Sequence, residues 1–175
     1  MSIYNKAEIE KALDEKVNAF NNYIIALDKE QLENTPGNKW SAGQNLDHLI
    51  RSIRPLLLAY SLPKFMLRLL FGNANRPSKT FEELVEKYTS RLSTGGRASG
   101  PFIPKTIVFE QKELLIEKYN KHKEKLISKI GKLSEEDLDK YILPHPLLGK
   151  ITLREMLFFT IHHNVHHLEL LKARN

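Results

Sequence analysis

The sequence predicts an all-α fold, a four-helix bundle with a long crossover between its second and third helices. Three observations carry this expectation. Four long stretches place apolar residues at the three-to-four spacing of one helix face. Two of them, from Ser41 and from Thr152, start with Ser or Thr followed three residues later by Glu or Gln, the pattern in which side chain and backbone cap each other. No run alternates apolar and polar residues as a half-buried strand does, and no internal repeat appears. The 175 residues are expected to form a single domain, 1–175, long enough to bury a core without disulfides.

The first helix is expected over residues 5–33, where Ile9, Leu13, Val17, Phe20, Ile24 and Leu27 share a face. "NTPGNKW" (34–40) supplies the Pro and Gly that end it. Ser41, with Gln44 at the capping-box position, starts a second helix through "SAGQNLDHLIRSIRPLLLAYS", and Pro55 should kink or split it. Pro63 opens a further helical piece, "PKFMLRLLF". "GNANRPSK" reads as a loop, Thr80 and Glu83 cap a short helix over 81–92, and "STGGRASGPFIPK" (93–105) is an irregular connection that can cover a pocket mouth. A third long helix follows over 108–132, then a helical turn capped by Ser134. "LPHPLLGK" is a turn region, and the last helix starts at Thr152, with Glu155 in its box, and runs to 173.

Composition removes several function classes. With no cysteine there is no thiol nucleophile, no disulfide framework and no Cys-type zinc site, so any metal rests on His, Asp, Glu and water. The formal net charge of +6 is spread partly over mixed-charge helices such as "EKYNKHKEKLISKIGK", with no basic block interleaved with aromatics, so nucleic acid is not an expected partner. The N-terminus lacks the layout of a signal peptide. The most apolar stretch, 55–72, is interrupted by Pro63, Lys64 and Arg68 and falls short of a membrane span. A soluble, cytoplasmic protein with no membrane partner is expected, and the apolar 55–72 surface suits a homodimer.

Chemistry concentrates in "IHHNVHHLELL" (161–171), which holds four of the seven histidines. A helix turns about 100° per residue. With Leu153 as origin, Leu157, Thr160, Asn164, Leu168 and Leu171 fall within about 60° of it, His163 and His167 at about −80° and −40°. His162 and His166 fall on the opposite, more polar arc with Glu155, Glu169 and Ala173. Both pairs have the i, i+4 spacing that lets two imidazoles share an ion, and the inward position favours His163 and His167. A third ligand must come from elsewhere, and His48 is the candidate, although it lies about 150° or more from the centre of the stripe Leu46, Leu49, Ile50, Ile53, Leu57. Asn164 and Thr160 either line the pocket or, for Thr160, bond back to the helix. His145 and His122 read as turn and solvated residues, Trp40 as an apolar anchor. There is no H-E-x-x-H, Glu155 falls outward and Asp47 faces away from His48, so no general base emerges.

"KWSAGQNLDHLIRSI" resembles the start of the second helix in the DinB-like family, the DinB/YfiT superfamily, where a Trp-Ser pair precedes the helix and a His inside it binds metal. "HPLLGKITLREMLFFTIHHNVHHLELLK" is similar to the family's last helix, with Thr-Leu-x-Glu, an apolar stretch and His-x-x-x-His. "GGRASGPFIP" is similar to the crossover of one branch. The resemblance runs from residue 36 to 173. It implies a metal site at His48, His163 and His167, with His48 turned into a polar pocket at one end of the bundle. It implies a divalent ion and a small-molecule substrate, with activity as a hydrolase or as a transferase using a low-molecular-weight thiol cosubstrate; imidazole ligands suit zinc and nickel alike, and the sequence does not choose between them. One departure is Leu170, where many relatives carry Gln three residues after the second His. That departure and the missing base leave a non-enzymatic bundle, binding a small ligand or a protein partner, as the alternative.

Overall fold

The computed structural model describes residues 5–37 and 39–174. Four long helices form the bundle: α1 (Lys6–Ala26), α3 (Ala42–Ala59), α6 (Lys112–Ile130) and α8 (Leu153–Lys172). Between them lie α2 (Lys29–Glu33), α4 (Lys64–Phe71), α5 (Phe81–Ser93), α7 (Glu135–Lys140) and two single 3-10 turns, Gly100–Phe102 and Phe109–Gln111. Helix α1 packs on α6 and α8, and α3 on α6 and more lightly on α8, so the four close a ring. Helix α5 lies outside that ring against α8 and forms a partial second layer.

The helix starts follow the capping logic. Ser41/Gln44, Thr80/Glu83 and Thr152/Glu155 form reciprocal boxes, and Ser134 pairs likewise with Asp137. The expected first helix is broken: Leu27 leaves the helix and Asp28 opens α2 through its own box with Gln31. Pro55 neither splits nor stops α3, which runs through it. Pro55 is exposed, so the carbonyl its missing N–H frees can be taken up by water.

The turn region before α8 is a small antiparallel hairpin, β1 (Ile142–His145) with β2 (Gly149–Thr152), paired Ile142↔Thr152 through His145↔Gly149. Gly149 takes φ 75°, a left-handed turn that glycine enters without a Cβ clash. His145 builds the turn, its Nδ1 accepting the backbone N–H of Leu147 and of Leu148, both at 3.2 Å.

The core is continuous from Ile9, Leu13 and Phe20 on α1 through Leu46, Ile50 and Ile53 on α3 and Tyr119 and Leu126 on α6 to Leu157, Phe158 and Ile161 on α8. Leu58, Phe65, Leu69 and Leu70 stay exposed. No helix among the described residues is long and apolar enough to cross a membrane.

Candidate metal centre

The early part of α3 and the later part of α8 meet at one end of the bundle. They bring His48, His163 and His167 together, all buried. The Nε2 atom of His163 lies 3.1 Å from Nε2 of His48 and 3.0 Å from Nε2 of His167. Ligand nitrogens about 2.0–2.1 Å from an ion stand about 2.9 Å apart at a right angle and about 3.3 Å apart at a tetrahedral one. The observed separations fall between these values.

The outer ring nitrogens fix the tautomers. Nδ1–H of His48 donates to the Phe102 carbonyl at 2.7 Å. Nδ1–H of His167 donates to Oδ1 of Asn45 at 2.6 Å. The Asn45 amide is itself held, its Nδ2 donating to the carbonyls of Ser41 (2.8 Å) and Trp40 (3.3 Å), so Oδ1 must face the histidine. In the neutral ring, Nε2 of His48 and of His167 then carries a lone pair aimed inward. A single Nε2–H on His163 satisfies only one of the two. The cluster therefore holds more acceptors than protons, the condition a cation relieves.

Electrostatics keep the cluster neutral. Burial first, and the neighbouring imidazoles second, hold His163 and His167 well below the ordinary histidine range. Burial also lowers His48, partly opposed by its bond to Phe102 and by Asp47. Neutral imidazole is the form that binds a metal.

The crossover does more than cover the pocket. It supplies the Phe102 carbonyl, and it is strapped to α3 by Asp47, whose Oδ2 accepts from Arg51 Nε (2.6 Å) and from the backbone N–H of Lys105 (2.8 Å). Gly43 permits this closeness, since a Cβ there would lie 2.9 Å from Cβ of Ile107. That packing is why His48, off the apolar stripe, is buried. Trp40, expected as an anchor, lies over the site, its ring centroid 4.9 Å from that of His48 and 6.4 Å from that of His167.

The other singled-out residues fall as follows. Thr160 bonds back to Met156 O, and Asn164 accepts from Tyr119 OH while donating to Thr160 O, so both serve the helix interior rather than the cavity. His162 and His166 are half-buried against Tyr88 of α5 rather than fully outward. Glu155 is buried rather than outward. Its carboxylate takes both terminal nitrogens of Arg76 (2.6 and 2.9 Å) and the N–H groups of Lys79 (2.7 Å) and Thr152 (2.9 Å).

A cavity of about 500 Å³ opens onto the three histidines. Leu56, Leu92, Met156 and Phe159 give it apolar walls, Leu170 contributes where a Gln was the expected family residue, and His145 and His166 also line it. No Asp or Glu lines it among the described residues. The sequence reading missed Asn45, Phe102 and Asp47. Asn45 and Asp47 stand in the same "QNLDH" segment as His48, a density of buried polar residues that was the available signal.

Comparison with known proteins agrees with this architecture. Over 97% of this chain and 99% of the other, the fold matches the crystal structure of TT2238, a four-helix bundle protein, with a TM-score of 0.59 and 15% identity. The uncharacterized protein YuaE of Bacillus subtilis (strain 168) is 26% identical over 173 residues, 98% of this chain and 94% of that one. The family model of the DinB superfamily matches residues 7–171, and the chain, with its three-histidine cluster, belongs to that superfamily.

Proposed function

We propose that the protein is a metal-dependent enzyme in which His48, His163 and His167 hold one divalent ion, zinc or nickel, beside a pocket for a small-molecule substrate. The observation that carries this is the convergence of three neutral Nε2 atoms whose outer nitrogens are bonded so as to aim lone pairs at one point. A divalent ion held there supplies Lewis acidity and lowers the pKa of a coordinated thiol or water.

Of the two reactions open to such a site, transfer involving a low-molecular-weight thiol is favoured over hydrolysis. Water starts about seven pKa units above a thiol, so its activation gains most from a base. The cavity offers no carboxylate for that role among the described residues. What the chain contributes is orientation and dryness. Asn45 and Phe102 hold two imidazole rings, Phe159 stacks on His163 at 4.7 Å, and apolar walls exclude water around the reacting group.

The test is metal content by elemental analysis of protein purified without a histidine tag. About one ion per chain is expected, lost in His48→Ala, His163→Ala and His167→Ala and kept in His162→Ala. Equal metal in every sample overturns the assignment. A thiol-transfer screen on the loaded protein should give turnover that a chelator abolishes. We also propose that the exposed face of Leu58, Phe65, Leu69 and Leu70 pairs two copies. Light scattering at high concentration should then give twice the 20.3 kDa chain mass, and a monomer mass removes this.

A further inference from the structure

The cavity walls carry charge of one sign. Lys39, Arg97 and Arg174 line it, and no carboxylate does among the described residues. Lys39 and Arg97 are exposed at its mouth, and among the described residues neither forms an ion pair. Arg174 is half-buried and pinned, one guanidinium nitrogen donating to Trp40 O at 2.6 Å. The crossover that carries Arg97 is held in place by the Asp47 strap and the His48–Phe102 bond. No carboxylate among the described lining residues offsets the three cations, and a bound divalent ion would add to them. Low-dielectric walls focus such a field into the pocket. Apolar side chains, Leu56, Leu92, Met156 and Phe159, make up much of the rest of the lining.

From this arrangement we infer that the pocket selects an anionic small molecule. Its carboxylate-like group is taken by Arg174, Arg97 and Lys39, and its apolar body lies along Leu56, Leu92 and Phe159 toward the histidines. This deepens the proposed function and rests on the cavity being its reaction pocket, but the anion selection belongs to the side chains and not to the metal. A neutral ligand of the same shape would gain nothing from the three cations.

Trp40 is the chain's one tryptophan and lines the cavity, so its fluorescence reports occupancy there. The probes are 4-phenylbutyrate and the neutral 4-phenylbutan-1-ol, titrated into metal-loaded and chelated protein. The carboxylate should bind about tenfold or more tightly than the alcohol, and added salt should shrink that preference. Replacing all three cations with Gln should cut the preference to about twofold or less with metal content unchanged. Arg97→Gln alone, at an exposed position, should lower it in part and keeps the test decisive if the triple variant fails to fold. Equal binding of the two probes, or a preference untouched by these variants, overturns the inference. Loss of the preference on chelation while the Gln variants retain it shows the carboxylate on the metal, which overturns this inference and supports the proposed function. A cation-dependent preference in protein that binds no metal supports this inference and overturns the metal assignment.

Discussion

The first turn of α8 and its later half both bury polar side chains, Arg154 and Glu155 in the first, His163 and His167 in the second. In the first turn every charge meets its opposite. Glu155 is clasped by Arg76 and two backbone N–H groups, and Arg154 reaches Glu135 at 2.7 Å and Asp139 at 2.6 Å. In the later half like meets like: imidazole nitrogens face one another with too few protons to pair them. Burial of polar groups is therefore not itself a sign of function. The sign is whether the protein completes the partnership or leaves it to something else. The Thr-Leu-Arg-Glu segment at the head of the helix is a clamp between α8 and the loop at residues 76–79, and the His-x-x-x-His segment is, under the proposed function, a receptor.

The comparison breaks if the clamp proves to be part of the receptor. Glu155→Ala leaves the Arg76 guanidinium without its carboxylate, with only the Pro77 carbonyl remaining, and strips the acceptor from the buried Thr152 N–H and the part-buried Lys79 N–H. It should lower the unfolding free energy by about 3 kcal/mol. Urea unfolding of metal-free protein measures this, and bound metal per chain should stay at the wild-type value. Loss of metal at wild-type stability contradicts the division of labour.

A change at the receptor should show the reverse pattern. Asn45→Ala removes the acceptor that turns the His167 ring, while the carbonyls its amide held keep other donors, Arg174 on Trp40 and the residue 45 N–H on Ser41. Metal affinity should fall about 10–100-fold. Competition with a chromophoric chelator measures it, with Asn45→Asp restoring much of the loss because a carboxylate also accepts from Nδ1–H. Unchanged affinity in Asn45→Ala means that the ring needs no outer support.

The capping boxes and the inward histidine pair were legible in the sequence, and the ion pairs of the clamp were not. Capping boxes at Ser41, Thr80, Ser134 and Thr152 and the i, i+4 pair His163/His167 are local patterns, and they hold. Asp28 with Gln31 was equally visible and breaks the first helix where periodicity ran on. Periodicity fails for residues buried by something other than the bundle core. His48 is covered by the crossover, Glu155 by the loop at 76–79, and His162 and His166 by Tyr88 of α5, all on arcs that the apolar stripe marks as outward. The hairpin is invisible for another reason: four-residue strands, one containing Pro144, are too short to show alternation. What carried His48 into the site beforehand was resemblance to a family, not angle.

His145 stands between the two kinds of burial and gives the smallest effect. Its Nδ1 accepts two backbone N–H groups, so the neutral ring is satisfied and the protonated ring is not, because a proton on Nδ1 would face two donors. Burial, with Lys87 adding to it, pushes this imidazole down to about 4. The folded state thus binds fewer protons than the unfolded one, whose histidine titrates near 6.5. The contribution is complete above pH 6.5 and is lost as the pH falls from there toward 4. Between pH 7 and pH 5 it should cost metal-free protein about 1–2 kcal/mol of stability from this residue. Asn supplies an oxygen acceptor near the position of Nδ1 and does not titrate, so His145→Asn should flatten the pH dependence by that amount. Other histidines are also depressed by burial and steepen the wild-type curve in the same direction, so the difference between the two proteins is the quantity to read. If the two curves run parallel, the hairpin turn does not depend on a neutral His145, and its place among the satisfied groups is wrong.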